Sequence, residues 1–150
     1  MKKNILNITL ALIAITSLTN CRSDNNEETN EISIVGVWKI QKQQTISGAN
    51  SQTILDEFIP QTDCEKKPTY EFTSDNKYIN KDYAFINNIC TEDGSETTTY
   101  FYNKETKKLT ISTSTGDVLE LTKSTLVVSI AESDLNGDGI KDIDKTYFTR

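Results

Sequence analysis

Ile34-Val35-Gly36-Val37-Trp38-Lys39-Ile40 is the stretch that decides the fold, because it carries the only tryptophan of this 150-residue chain and opens the predicted folded domain. Alternation places Trp38 and Ile40 on one face and Lys39 on the other, which is the period of a half-buried strand. We predict a first strand over about residues 32–46. Short strands separated by turns follow it, and this pattern favours a small all-β barrel.

The first 20 residues have the parts of a secretory signal peptide in the expected order. Met1-Lys2-Lys3 is a basic start, and an apolar run follows from Ile8 to Leu18. That run is shorter than the roughly 20 apolar residues that a membrane-spanning helix needs. We therefore predict that residues 1–20 are a signal peptide, which is removed from the mature protein.

Leu18-Thr19-Asn20-Cys21 resembles the lipobox of bacterial lipoproteins, in which an apolar residue stands three positions before the cysteine. The resemblance implies that the Cys21 thiol is acylated and that the lipid holds the protein to a membrane. Asn20 departs from the Gly, Ala or Ser that is usual before that cysteine. The alternative is an ordinary signal peptide followed by an unrelated cysteine.

Residues 21–31 are predicted to be a lipidated, flexible tether, because they contain little that a core could bury. Their acidic side chains, close behind Cys21, resemble the surface-export signals of Bacteroidota lipoproteins. The resemblance implies a lipid-anchored protein of the bacterial cell envelope, at the outer membrane and on its outer face. A merely soluble linker is the alternative.

The charge balance and the lack of histidine exclude several classes of function. Without Lys2 and Lys3 the chain keeps 14 Lys and Arg against 22 Asp and Glu, a net charge of −8. Nucleic-acid partners need clustered cations, so none is expected. The absence of histidine excludes Ser-His-Asp and Cys-His catalysis and histidine-ligated zinc or haem as usually built. Carboxylate chemistry, oxygen-ligated metals and plain binding remain.

Residues 32–150 form one predicted domain of about eight antiparallel strands. Hairpin-length links join most neighbours, so an up-and-down order is expected, and closure into a barrel removes exposed edges. Residues 53–59 fit a helical turn or a strand equally well, and residues 80–94 are less regular, with a turn signal at Asp93-Gly94. The other predicted strands cover residues 69–73, 77–79, 96–102, 108–113, 117–121, 125–131 and 145–149.

Alternating residues of these strands supply a predicted barrel lining. The inward residues are Tyr70, Phe72, Leu109, Ile111, Leu119, Leu121, Leu126, Val128 and Ile130, together with Thr98, Tyr100 and Tyr102. This lining suits a small apolar ligand with one or two polar groups. The residues predicted to bind it are Tyr70, Phe72, Tyr100, Leu119, Leu121 and Val128. The alternative is that the same side chains fill the barrel.

Gly36-Val37-Trp38 on the first strand, followed by a meander of about eight strands, resembles the lipocalin family. The tryptophan of the family's Gly-x-Trp motif plugs the closed end of the barrel. The resemblance implies that role for Trp38 and a ligand entrance at the opposite end. An arginine late in the barrel, another mark of true lipocalins, has no clear match, because Arg150 lies at the very end of the sequence. The alternative for Trp38 is a core aromatic in any sandwich or barrel.

The likeness becomes narrower when the cysteines are included. A lipid-anchored domain with this first strand, one cysteine before an aromatic hairpin and a second after it resembles the lipocalin-like lipoproteins of Bacteroidota, over residues 32–150. Cys64 and Cys90 are the cysteines left once Cys21 is acylated, in a compartment that permits oxidation. We therefore predict a disulfide between them, with two free thiols as the alternative.

Asp134-Leu135-Asn136-Gly137-Asp138-Gly139-Ile140-Lys141-Asp142 matches the first nine positions of a D-x-[DN]-x-[DN]-G calcium loop. Position twelve is Lys145, so Asp144 would have to replace the usual bidentate acid. The alternative is a hairpin loop rich in Asp, Asn and Gly. The predicted weak calcium ligands are Asp134, Asn136, Asp138, Ile140 through its carbonyl, Asp142 and Asp144.

These observations favour a membrane-anchored, non-catalytic, lipocalin-like envelope lipoprotein that binds a small apolar ligand or a partner protein. A structural or adhesion accessory with a filled, calcium-stabilised barrel is the alternative. An enzyme ranks third, because no pair of carboxylates has a spacing that singles it out. Apart from calcium, no cofactor is expected.

Overall fold

The computed structural model describes residues 32–59, 62–131 and 133–150, and these fold into β-strands joined by turns. No helix within these ranges has the length and apolar content to cross a membrane. The described strands, in chain order, are β1 (Gly36–Ile46), β2 (Thr53–Phe58), β3 (Thr69–Phe72), β4 (Lys77–Ile86), β5 (Ile89–Asn103), β6 (Lys108–Ile111), β7 (Ser114–Leu121), β8 (Thr125–Ile130) and β9 (Ile143–Thr149).

Eight of these strands close into an antiparallel up-and-down barrel, so the predicted fold class is confirmed. From β3 to β9 each strand pairs with its neighbour in sequence. β1 completes the ring, because it pairs with β3 along one edge and with β9 along the other. Closure therefore joins the first described strand to the last.

β1 pairs with three other strands, because it is long and its two halves have different partners on one side. Gly36, Val37 and Trp38 pair with β3, whereas the segment from Lys42 to Ile46 pairs with β2 on that same side. Residues 53–58, which fitted a helical turn or a strand in the sequence, are therefore a strand. β2 is a ninth strand, lying against the second half of β1.

The prediction of a turn at Asp93-Gly94 is wrong, because both residues lie within β5. β4 continues to Ile86 and β5 begins at Ile89, and Asn87 and Asn88 make the turn with φ values of 52° and 63°. Asparagine tolerates this left-handed conformation better than most residues, and a two-residue hairpin turn requires it. Gly94 instead pairs with Asp82 inside the ladder, beside a register shift that the extra residue Asp93 creates.

The core lies at the Trp38 end of the barrel. Its buried members are Ile34, Trp38, Phe72, Tyr100, Leu109, Val118 and Leu126, and the half-buried side chains packed on them are Tyr70, Tyr78, Tyr102, Ile111, Leu121, Val128 and Phe148. Nine of the twelve predicted inward residues belong to this core, whereas Thr98 and Ile130 are half-buried outside it and Leu119 is exposed. Leu119 is 48% exposed, because a register shift between Val118 and Glu120 puts Val118 into the core in its place.

Aromatic rings fill much of this core, and the tyrosine hydroxyl groups are polar atoms within it. The Phe72 ring lies 4.9 Å from that of Tyr100 and 5.1 Å from that of Tyr78, measured between centroids. The Tyr100 hydroxyl donates a hydrogen bond to the Thr73 carbonyl oxygen at 2.9 Å. Burial is the main cause that raises the pKa of Tyr70, Tyr78 and Tyr100, and nearby acidic side chains add to it.

These tyrosines predict a loss of stability at alkaline pH. Each phenol has a higher pKa in the folded state, so the unfolded chain gives up its protons first. The stabilisation is complete below the unfolded pKa of about 10 and declines as the pH rises towards the folded values. Urea denaturation over a pH series should show this decline, and Tyr78→Phe should make it shallower. A free energy of unfolding that stays constant above about pH 10 would contradict the prediction.

Candidate functional site

The end of the barrel at Trp38, called the closed end below, is sealed by a tryptophan and an arginine. Trp38 is fully buried, and its Nε1 donates a hydrogen bond to the Ile34 carbonyl oxygen at 2.8 Å. The guanidinium carbon of Arg150 lies 4.2 Å from the Trp38 ring centroid, in a cation–π arrangement. Together the two side chains cover this end of the core.

Arg150 also donates hydrogen bonds to two backbone segments at the closed end. Its Nη1 donates to the Val35 carbonyl oxygen at 2.7 Å and its Nη2 to that of Ser33 at 3.2 Å. Its Nε donates to the Lys123 carbonyl oxygen at 2.6 Å, in the turn between β7 and β8. Arg150 thus joins the segment before β1 to the turn between β7 and β8.

The position of Arg150 also explains why glycine stands two residues before the tryptophan. Gly36 has a φ of 140°, a conformation that residues with a side chain rarely adopt. A Cβ atom there would lie 2.5 Å from Arg150 Nη1, which is too close for two unbonded heavy atoms. The Gly-x-Trp motif therefore leaves room for the arginine above the ring.

The opposite end of the barrel, called the open end below, is built by the β1–β2 loop, residues 133–142 and the β4–β5 hairpin. It contains a shallow pocket of about 230 Å³, set between β1, β2, β9 and the loop before β9. The Thr45 hydroxyl donates to Asp144 Oδ1 at 2.6 Å beside it. The pocket lining is Gln43, Gln44, Thr45, Leu55, Leu135, Asp144, Lys145 and Thr146.

The predicted disulfide is confirmed. Cys64 and Cys90 are bonded, with their Cα atoms 5.5 Å apart. Cys64 lies in the segment between β2 and β3, and Cys90 lies at the start of β5 opposite Phe85. The bond therefore fastens the link after β2, which has no long strand of its own, to the projecting β4–β5 hairpin.

Residues 134–142 form a loop held together by its own carboxylates. Asp134 accepts hydrogen bonds from the backbone N–H groups of Gly137, Asp138 and Gly139. Asp142 is fully buried and accepts from the N–H of Leu135 at 2.7 Å and from that of Gly48 at 3.3 Å. Asp142 thus joins this loop to the β1–β2 loop.

These hydrogen bonds hold the loop to itself and to the β1–β2 loop. Asp144, the predicted substitute for the twelfth-position acid, accepts a hydrogen bond from the Thr45 hydroxyl on β1 through Oδ1. Among the residues that the structure describes, no group of three or more acidic or thiol side chains is arranged to hold a metal ion. Calcium binding by this loop stays a prediction.

The six predicted ligand-binding residues do not meet in one pocket. Leu119 and Leu121 line a shallow pocket of about 210 Å³ at the closed end, and Tyr100 lines a second one of about 230 Å³ beside it. Phe72 and Tyr100 are buried in the core, and Tyr70, Leu121 and Val128 are half-buried against it. Leu119 points to solvent. None of the six lines the open-end pocket.

The residues that do line the open-end pocket were missed, because they come from β2, from the second half of β1 and from the loop before β9. These residues could have been found only by knowing that β2 pairs with β1. Alternation of apolar and polar residues within a strand does not indicate which strand it pairs with. Cys21, the predicted signal peptide and the tether (residues 1–31) lie outside the described residues.

The lipocalin-like domain family matches this chain over residues 34–128. That span covers more than half of the sequence and includes the Gly-x-Trp strand and most of the barrel. The chain belongs to this family, whose members generally have a non-catalytic binding fold. No curated protein matches the chain significantly.

Proposed function

We propose that this protein is a non-catalytic, membrane-anchored lipoprotein of the cell envelope that binds a small amphiphilic ligand at the open end of its barrel. The observation that carries the proposal is the pocket of about 230 Å³ between β1, β2 and β9, whose walls are both apolar and polar. Trp38 and Arg150 cover the core at the other end of the barrel. Ligand sites in proteins typically combine a concave apolar surface with a few polar groups.

The size and lining of the pocket limit the ligand. Its volume lies below the roughly 300 to 1,000 Å³ of pockets for drug-sized molecules, so the part of the ligand that enters is small. Leu55 and Leu135 offer apolar contact, while Gln43 and Asp144 offer hydrogen-bonding groups. Because rings already fill the core at the closed end, the ligand is held near the rim.

A bulky side chain in the pocket should block binding. Leu55→Trp is expected to weaken the affinity for an environment-sensitive apolar dye by about tenfold, equivalent to ~1.4 kcal/mol. Ile54→Trp is the matched control, because Ile54 is the neighbouring, similarly exposed residue of β2 and does not line the pocket. Fluorescence titration of the native proteins measures both affinities. Equal affinities in the two variants, or binding only after partial unfolding, would exclude the site.

The anchoring half of the proposal rests on the basic start, the short apolar run and the lipobox that ends at Cys21. Cys21→Ala is expected to move the protein from the membrane fraction to the soluble fraction, because several acyl chains each contribute about 0.8 kcal/mol per buried methylene. Fractionation followed by immunoblotting measures the distribution. A variant that remains as fully membrane-bound as the parent would show that Cys21 is not the anchor.

A structural or adhesion accessory is the second candidate. The filled core and the exposed apolar tip of the β4–β5 hairpin, formed by Phe85, Ile86 and Ile89, favour it. Exposed apolar surface of this kind often marks contact with another protein. If no small amphiphile binds the native domain, this reading replaces the first.

A further inference from the structure

A second surface, at the closed end, combines exposed apolar side chains with lysines. Two shallow pockets of about 210 Å³ and 230 Å³ lie there and share Tyr102 and Lys104. Ile32 and Leu119 line the first, and Val35 and Phe101 line the second. Phe101 is 64% exposed and Ile32 46% exposed, so the patch offers real apolar area to a partner. We call it the basal patch.

Lysines border the basal patch, although the chain as a whole is acidic. Lys104 and Lys107 lie in the turn between β5 and β6 and line the first pocket, where Glu120 is the one acidic residue of the lining. Lys123 lies in the turn between β7 and β8, at the point that Arg150 contacts. Long lysine side chains around apolar residues suit a boundary between hydrocarbon and anionic groups.

The chain enters the barrel at the basal patch. Ile32 lines the first pocket and directly follows the predicted tether of residues 21–31. Eleven extended residues span at most about 40 Å, so a lipid on Cys21 would keep the domain within that distance of the membrane. At such a high effective concentration, a weakly attractive surface is enough to fix an orientation.

We propose that the closed end rests on the lipid bilayer, with Phe101, Leu119 and Ile32 at the boundary between headgroups and acyl chains and the lysines at the lipid phosphates. This inference rests on the proposed membrane anchoring. Apolar side chains flanked by lysines are the general pattern of interfacial membrane binding. The open-end pocket then faces away from the membrane, where a ligand can reach it.

The exposed apolar tip of the β4–β5 hairpin does not suit the same role. Asp82, Glu92 and Asp93 flank it, and their charges are repelled by anionic lipid phosphates. β4 runs from the closed-end turn to the tip over 10 residues, or roughly 33 Å of strand, so the tip lies far from the bilayer when the closed end faces it. The tip therefore serves as the internal control.

Hydrogen exchange on the lipidated full-length protein tests the orientation. The protein is reconstituted into vesicles of phosphatidylcholine and phosphatidylglycerol, and the reference is Cys21→Ala protein mixed with the same vesicles. Anchoring is expected to slow exchange of the amides in the turn at residues 103–107 by about threefold or more, with no change at Asn87 and Asn88. Replacing Phe101 and Leu119 by serine should abolish the slowing without releasing the protein, whereas replacing Phe85 and Ile89 by serine should not.

The outcomes separate the two proposals. Protection at the β4–β5 tip in place of residues 103–107 would overturn the orientation. Anchored protein with no protected surface would overturn the basal contact and leave the lipid anchor standing. Parent protein that stays soluble would overturn both. The serine substitutions are at exposed positions, and fluorescence of the single buried Trp38 verifies that each variant is folded.

Discussion

Replacing Trp38 by alanine is expected to lower the free energy of unfolding by about 3 to 5 kcal/mol, the range for deleting a large buried aromatic side chain. This loss of stability is large for a single substitution, because Trp38 has no exposed surface and its indole N–H donates a hydrogen bond to the Ile34 carbonyl oxygen. The change also removes the ring beneath the Arg150 guanidinium, which leaves that charge without its cation–π contact.

Urea denaturation followed by circular dichroism measures the change, since the variant has no tryptophan to report by fluorescence. Phe101→Ala is the matched control, because Phe101 is an aromatic residue on the outside of β5 and its loss should cost no more than about 0.5 kcal/mol. If both variants were equally stable, Trp38 would not be the centre of the core.

Loss of the disulfide is expected to have the second-largest effect. Cys64 and Cys90 are 26 residues apart, and chain-entropy arguments assign about 3.5 kcal/mol to closing a loop of that size. Changing both cysteines to serine should lower the free energy of unfolding by about that amount. The segment between β2 and β3 should also become the first part of the domain to exchange its amide hydrogens, because the bond fastens it to the β4–β5 hairpin.

Chemical denaturation with and without reductant measures the contribution of the bond. Reduced parent protein should match the double-serine variant, and reductant should not alter the variant. A parent protein whose stability is unaffected by full reduction would show that the bond constrains nothing that the barrel does not already fix.

The sequence was sufficient for the parts of the fold that depend on neighbours along the chain. β8 is an example, because Leu126 and Val128 alternate as the sequence predicts and both belong to the core, although Val127 and Ser129 on the other face are buried as well. The β3–β4 hairpin is another, since its turn residues stand between two alternating runs. The burial of Trp38 could be predicted as well, because a large aromatic ring on an alternating strand is usually placed in a core, whereas its place at the closed end was implied by the resemblance of Gly36-Val37-Trp38 to the Gly-x-Trp motif.

The sequence failed where an extra residue enters a strand or where partners are far apart. Leu119 and Leu121 fit the alternation of a strand with one inward face, but one inserted residue in β7 turns the Leu119 side chain outward. No local sequence pattern indicates that insertion. The contact of Arg150 with Gly36 and Trp38 required knowing that β9 lies beside β1. The open-end pocket depends in the same way on β2 pairing with β1, and no motif records that pairing.

The pairing of β1 with β9 also sets the order in which the protein can become native. β1 is synthesised early and its partner β9 late, so the barrel stays incomplete while the chain between them is synthesised. Contacts between distant segments form slowly, because the entropy of closing the intervening chain comes first. The closing step of folding therefore comes after most of the domain has been synthesised, and it joins the two barrel strands that lie farthest apart in the chain.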